Sequence, residues 1–365
     1  MIPHSLLAEI ARKFVIVPAV APAVVVATGI FRVAGFEFAE GAAFEAESGG
    51  GGTRVFFDLA SITKSFVAVT VARLVQKGRL GFETPLHDLL PEARRSATGP
   101  QSLLSLLAHR AGLEAHRALF APLLAGLPFD RAVAIREALE SRRPECAGPT
   151  PLGGYVPVYS DLGFALVGLA LERSEQLPLD EIVEREVCSP LALEVGSARI
   201  LRATGTNFPE RCMPTETVAF RGGEVRGIVH DENAWALSGH GLSGHAGLFG
   251  TAMSVARFGA ALLEAQRGQS TWLEEKALGP LLEERAGGTL RAGFDGKSAD
   301  QSSAGTLAGP RTFGHLGFTG TSFWCDPEAN RVLVLLTNRV CPSRNNLRIR
   351  AARPAVNDAL YGFAG

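Results

Sequence analysis

Lysine is scarce in this sequence: only Lys13, Lys64, Lys77, Lys276 and Lys297 stand among 36 basic residues, the rest being arginine. No stretch gathers those charges into a block or interleaves them with aromatics, and the formal net charge is −1, which argues against nucleic acid as a partner. Cysteine is sparse too. Cys146, Cys188, Cys212, Cys325 and Cys341 are odd in number, far apart and never in a CxxC, which argues against a disulfide framework and a zinc ribbon and fits a reducing compartment. A long unbroken apolar run is also missing. The nearest approach, FVIVPAVAPAVVVATGIF from Phe14 to Phe31, follows Arg12 and Lys13. Pro18 and Pro22 would break a spanning helix, and no small-x-small cleavage site precedes a polar start. It reads as a connection into a buried strand, PAVVVATG, with an export signal as the competing reading. The expectation is a cytoplasmic rather than periplasmic protein that makes no membrane contact.

What is present is core. Hydrophobic residues make up 46% of 365, enough for one large core or two moderate ones. Leu6, Leu7, Ile10 and Phe14 have helical spacing, so an amphipathic helix is expected over residues 5–14. Strands PAVVVATG and IFRVAGFEFAEG follow, and the glycines at 49–52 read as a loop or hairpin tip. Ser61 to Gln76 is helical in pattern, with Gly78 placed to stop it. From 84 to about 245, helical segments such as QSLLSLLAHR and FALVGLALERS are separated by proline- and glycine-rich stretches with few strand signals. A helix, TAMSVARFGAALLEAQ, leads to a polar loop at 287–309. Strands TSFWCD and RVLVLLTNR, joined by the turn PEAN, precede a closing helix from Asn345 to Tyr361. This order predicts an α+β fold: an antiparallel sheet built by both chain ends (1–83 and 246–365) with flanking helices, and a mostly helical inserted domain (84–245).

Three short elements carry candidate chemistry. In FDLASITKSFVAV, Ser61 stands one helical turn before Lys64. A helix start places a hydroxyl near unpaired N–H groups that can hold an oxyanion, and burial of Lys64 would favour its neutral, proton-accepting form. A chance serine–lysine pair at this spacing is expected about a third of a time among 21 serines and five lysines. Ser61 as a plain N-cap is therefore the favoured reading of the stretch alone. In VYSDLGFALVGLALE, Tyr159, one of only three tyrosines, precedes Ser160 and Asp161 at another helix start. A tyrosine hydroxyl beside a lysine amine can pass protons; capping by Ser160 or Asp161 is the bland alternative. In GHLGFTGTSFW, His315 precedes a glycine-threonine pattern entering a strand, where backbone N–H groups can face a ligand.

Taken together, SITK at Ser61, YSD at Tyr159 and HLG at His315 resemble, in order and separation, the three motifs of the active-site-serine penicillin-recognising superfamily. YSD is similar to the Tyr-x-Asn form of class C β-lactamases and related esterases and D-amino-acid peptidases. SLLSLLAHRAGL and SGHAGLFGTAMSVARF resemble further family segments. The resemblance implies a β-lactamase/transpeptidase-like fold with the site in a cleft between the sheet and helical domains. It implies Ser61 as acylated nucleophile, Lys64 as its base, Tyr159 as general base and acid, and His315 as an orienting group. The N–H groups of Ser61 and Phe318 would form the oxyanion hole, with Asp161 and Gly317 also facing substrate. Asp161 stands where class C enzymes use asparagine, and His315-Leu316 where lysine and threonine are usual. A small-molecule ester or peptide is therefore expected ahead of an efficiently cleaved β-lactam, with no cofactor. A non-catalytic penicillin-binding-like sensor is the alternative. A metal site at His230, Asp231, His240 and His245 is a further rival, although no HExxH or same-face pair occurs; the expected metal content is none.

Overall fold

The computed structural model describes residues 3–45, 52–205 and 207–362; of the glycine run at 49–52, only Gly52 falls among them. Six strands form one antiparallel sheet: β1 Ala23–Arg32, β2 Gly35–Phe44, β3 Asp295–Gly296, β4 Phe313–Leu316, β5 Ser322–Asp326 and β6 Arg331–Thr337. Their spatial order is β2-β1-β6-β5-β4-β3, so strands from the two chain ends meet where β1 pairs with β6, Val24 opposite Thr337 and Ile30 opposite Arg331. The central strands are buried on both faces, which is why they read as near-continuous apolar runs. Side chains alternate across them. Val24, Val26, Leu333 and Leu335 pack with Leu7, Ile10, Val356 and Leu360 of the terminal helices His4–Ala11 and Ile349–Tyr361. Val25, Ala27, Val332, Val334 and Leu336 join the larger core on the other face, with Phe66 and Phe258 of helices Thr63–Gln76 and Ala252–Gln266. Each such fully buried side chain contributes about 1.5–3 kcal/mol, before conformational entropy is set against it. Gly259 lets the second of these helices lie close on the sheet, because a Cβ there would sit 2.7 Å from Val332.

The expected strands shift in one place. IFRVAGFEFAEG is not one strand: its first three residues finish β1, and the chain turns at Val33-Ala34 before Gly35, whose φ of +118° suits glycine. The closing helix starts at Ile349 rather than Asn345, because the preceding residues make a turn in which Asn346 bonds the carbonyls of Ala19 and Val20. Between 84 and 245, the longest helix among the described residues is Asp161–Glu175. A second, three-stranded sheet has no counterpart in the sequence reading: Phe57–Asp58 pairs with Leu248–Gly250, which pairs with Val195–Ser197. Its strands have two or three residues, too few to show alternation. No helix among the described residues is long and apolar enough to cross a membrane.

Candidate active site

Phe57–Asp58 delivers the chain to a tight turn, Ala60–Ile62, which runs on into the Thr63–Gln76 helix. Ala60 has φ +48°, a left-handed conformation that an alanine adopts only when its surroundings compel it. Here they do. Asp58 Oδ1 accepts the Ala60 N–H at 2.8 Å, Thr319 Oγ1 donates to the Asp58 carbonyl at 2.7 Å, and Thr321 Oγ1 donates to the Leu59 carbonyl at 3.1 Å. Gly317 closes against the same turn, since a Cβ on it would lie 2.6 Å from the Leu59 oxygen. Ser61 thus emerges from a backbone clamped to the β4–β5 connection, and its hydroxyl makes no capping bond to the helix.

The hydroxyl meets Lys64 instead. Lys64 is fully buried, and Nζ donates to Ser61 Oγ at 3.0 Å, Asp161 Oδ1 at 2.7 Å and the His245 carbonyl at 3.1 Å. Three donors with three acceptors describe an ammonium, not an amine. Burial pulls the group toward neutrality, but the Asp161 charge and then Tyr159 outweigh it and hold Lys64 above its ordinary value. The expectation of a neutral Lys64 is overturned: burial acts as foreseen, and the paired carboxylate reverses the result. Asp161 answers in kind. Burial would raise it, yet Lys64 and then His116 keep its carboxyl well below the usual range.

Tyr159 lies across Lys64, its ring centroid 4.9 Å from Nζ, and its hydroxyl is a hydrogen-bond neighbour of Ser61 and Lys64. Burial raises the phenol above its ordinary value while the Lys64 charge pulls the other way. Two histidines flank it, with centroids at 4.6 Å for His109 and 6.0 Å for His315. Burial, and next the Lys64 charge, push both imidazoles down to about 3, so both are neutral at pH 7. Their hydrogen bonds differ. His109 Nδ1 accepts the Ser160 N–H at 3.0 Å, whereas His315 Nδ1 donates to the Leu316 carbonyl at 2.7 Å, which leaves His315 Nε2 as an acceptor. Ser160 caps its helix by accepting the Gly163 N–H, so Asp161 is free to face Lys64.

Ser61, Tyr159, Asp161, His315, Gly317 and Phe318 all border one open cleft of about 650 Å³. The Phe318 N–H has no acceptor among the described residues. Sequence reasoning missed His109 as Tyr159's neighbour, and His116, Arg339 and Arg350 on the cleft walls. It noticed His230, Asp231 and His245 but took them as rival metal ligands. In the fold His245 Nε2 bonds Asp231 Oδ1 at 2.9 Å and His240 is exposed elsewhere. Among the described residues no group of three or more His, Cys, Asp and Glu is arranged to hold a metal ion.

Known proteins share this arrangement of elements. A protein named "Putative D-alanyl-D-alanine carboxypeptidase" from Salmonella agona (strain SL483) is 28% identical over 314 residues, 79% of this chain and 70% of that protein. A penicillin-binding protein homolog from Caulobacter crescentus superposes with a TM-score of 0.69 at 17% identity, covering 98% of this chain and 97% of its own. EstCE1, a hydrolase with promiscuous acyltransferase activity, superposes with a TM-score of 0.66 at 19% identity over 96% and 97%. At such identities the superpositions establish the β-lactamase/transpeptidase-like fold. The sequence model of the family described as Beta-lactamase matches residues 8–357, nearly the whole chain, and by that match the protein belongs to the beta-lactamase family of serine hydrolases.

Proposed function

We propose that the protein hydrolyses an ester or amide through an acyl-enzyme on Ser61, with the selectivity of an esterase or peptidase rather than of an efficient β-lactamase. The observation that carries this is the 3.0 Å contact between Lys64 Nζ and Ser61 Oγ at the floor of an open cleft. The cleft would lie between the sheet domain (1–83 and 246–365) and the helical domain (84–245).

Lys64 Nζ donates a hydrogen bond to Ser61 Oγ, so the serine's own hydrogen is directed away from it, toward Tyr159. Ser61 Oγ attacks the carbonyl carbon as its proton passes to the Tyr159 oxygen. Tyr159 in the same movement gives its proton to the departing alcohol or amine. A neutral phenol suffices for this relay, since it takes one proton and releases another. The Lys64 ammonium stabilises negative charge on Oγ, and the Ser61 and Phe318 N–H groups receive the oxyanion. His315 Nε2, an acceptor, orients the Tyr159 hydroxyl or a substrate donor. Water, activated by Tyr159 in reverse, then frees the acid. The same neutrality of His315 removes the fixed cation that would grip a β-lactam carboxylate from this position.

Intact-mass measurement after exposure to a fluorophosphonate tests the reading. Wild type should gain one adduct and Ser61→Ala none; an adduct that survives the substitution refutes it.

A further inference from the structure

Two buried arginines hold the connection between β4 and β5, and they hold it by its carbonyls. Arg353, on the closing helix Ile349–Tyr361, is 8% exposed, and its Nη2 donates to the Gly317 carbonyl at 2.7 Å and the Thr321 carbonyl at 2.9 Å. Arg339 is 5% exposed. Its Nε and Nη2 donate to the Phe318 carbonyl at 2.9 and 2.6 Å, and its Nη1 to the carbonyls of Arg344 and Asn346 at 2.7 and 2.9 Å. Neither guanidinium has an ion-pair partner among the described residues.

Such an arrangement is unfavourable for stability alone. A cation taken out of water without a counter-charge is costly, and an apolar side chain of similar volume would fill the space without that cost. Arg353 Nε lacks any hydrogen-bond partner, and the two arginines repel each other. Burial, followed by the Arg339 charge, lowers Arg353 to about 10, so it is still a cation at pH 7. Its charge reaches the cleft floor, where it adds to burial and Lys64 in keeping His315 neutral.

The bonds fall on one particular peptide unit. The Gly317 N–H donates to the Thr321 carbonyl at 2.7 Å, and the Gly317 carbonyl accepts the Gly320 N–H at 3.1 Å besides the bond from Arg353. In a planar trans peptide the C=O and the next N–H point in opposite directions. Fixing the Gly317 oxygen on Arg353 therefore fixes the direction of the Phe318 N–H, which has no acceptor of its own. A charge-assisted bond to the oxygen also polarises the unit and makes its N–H a stronger donor. Arg339 secures the following peptide through the Phe318 carbonyl, and its guanidinium lies 4.7 Å from the Phe318 ring centroid.

Resting on the acyl-transfer reading above, we propose that Arg353 is a positioning residue for that reaction, holding and polarising the Gly317–Phe318 peptide so that the Phe318 N–H is aimed at the oxyanion before substrate arrives. Negative charge appears on the substrate oxygen only as Ser61 Oγ bonds to the carbonyl carbon. The uncompensated charge of Arg353 therefore favours the transition state over the bound neutral ester, and its loss falls on kcat rather than KM.

The test follows p-nitrophenyl butyrate hydrolysis and its inhibition by phenylboronic acid in wild type, Arg353→Met, which keeps apolar bulk, and Arg353→Gln, which keeps a donor on a shorter stem. Rates are divided by the fraction of enzyme that a fluorophosphonate labels. When Ser61 Oγ adds to the trigonal boron and its proton leaves to solvent, the product is a tetrahedral anion with an oxygen in the position of the oxyanion. Losing an oxyanion donor outright costs about a hundredfold to a thousandfold in kcat, so misaiming one should cost about tenfold or more. The boronate inhibition constant should rise by about the same factor while KM stays within about threefold of wild type. A purely structural role would lower the amount of active enzyme, which moves neither the corrected kcat nor the inhibition constant. A folded variant that binds the boronate as wild type does overturns the positioning role and leaves acyl transfer standing. A rise in KM alone also overturns it, by making Arg353 a substrate-binding group, and failure of both variants to fold overturns it by assigning Arg353 to stability. Absence of any Ser61-dependent turnover in wild type overturns the acyl-transfer reading and this one with it.

Discussion

Asp161→Asn keeps the shape of the side chain and removes its charge, which isolates what the carboxylate does for the fully buried Lys64. Breaking a buried ion pair by deleting one partner costs about 3–5 kcal/mol. Two features lower that figure here. The asparagine oxygen can still accept from Nζ, and Asp161 is 22% exposed, so solvent screens part of the interaction. The expected loss at pH 7 is about 2–3 kcal/mol, which for a chain of this length is a fall in Tm of about 3–4 °C.

The pH dependence is the sharper check. The folded Asp161 carboxyl lies below its unfolded value of about 3.9, and folded Lys64 lies above its unfolded value of about 10.4. The pair's contribution is therefore complete between those two values. It is lost as pH falls through the folded Asp161 value and as pH rises through the folded Lys64 value. Urea unfolding followed by tryptophan fluorescence should show the same gap between wild type and Asp161→Asn at pH 7 and 5, narrowed by about 1 kcal/mol at pH 3. A gap as wide at pH 3 as at pH 7 refutes the pairing argument. In the variant, burial acts on Lys64 with much less opposition, so the alkaline limb of p-nitrophenyl butyrate hydrolysis should move to lower pH.

Tyr159→Phe removes the relay oxygen and should lower ester turnover by about a hundredfold or more without unfolding the protein; a rate within a few-fold of wild type would exclude the relay. Gly317→Ala drives a methyl to within 1.9 Å of Thr321 Oγ1 and 2.6 Å of the Leu59 oxygen. It should cost about 1–3 kcal/mol and lower kcat more than it raises KM, which steady-state kinetics beside thermal melts would read. Asp58 is buried, and burial raises it to about 6 against the N–H bonds from His230 and Ala60. Between pH 4 and 6 the folded state holds a proton that the unfolded state has released, so stability falls with rising pH by about 2–3 kcal/mol from this group. Asp58→Asn should flatten that slope, and parallel pH–stability curves for the two proteins would count against it.

Motif spacing made the nucleophile region readable because Ser61 and Lys64, three residues apart on one helical turn, must share a face. The sheet was readable for a similar local reason: β5 and β6 are apolar runs bounded by PEAN, and the turn closes there with Asn330 at φ +50°. What stayed hidden lies between residues far apart in the chain. The charge on Lys64 depends on Asp161, 97 positions away, and on the His245 carbonyl, 181 away, and a backbone carbonyl leaves no mark in a sequence. The cluster at His230, Asp231 and His245 did leave a mark, but composition cannot tell ligands for a metal from a pair such as His245 and Asp231 that bond each other.

Asp58 shows why these hidden contacts matter for function. One oxygen of its carboxylate holds Ala60, the residue before the nucleophile, while the other accepts the N–H of His230 at 2.6 Å. Its own carbonyl is held by Thr319, next to Phe318 of the proposed oxyanion hole. One buried side chain thus joins the strained turn that presents Ser61, the cleft wall at His230 and the segment that would receive the oxyanion. A substitution in the 230 loop that alters substrate choice will therefore pull on Ser61 as well. Selectivity variants at His230 should change kcat along with KM, whereas variants at exposed Arg350, outside this network, should act on KM alone.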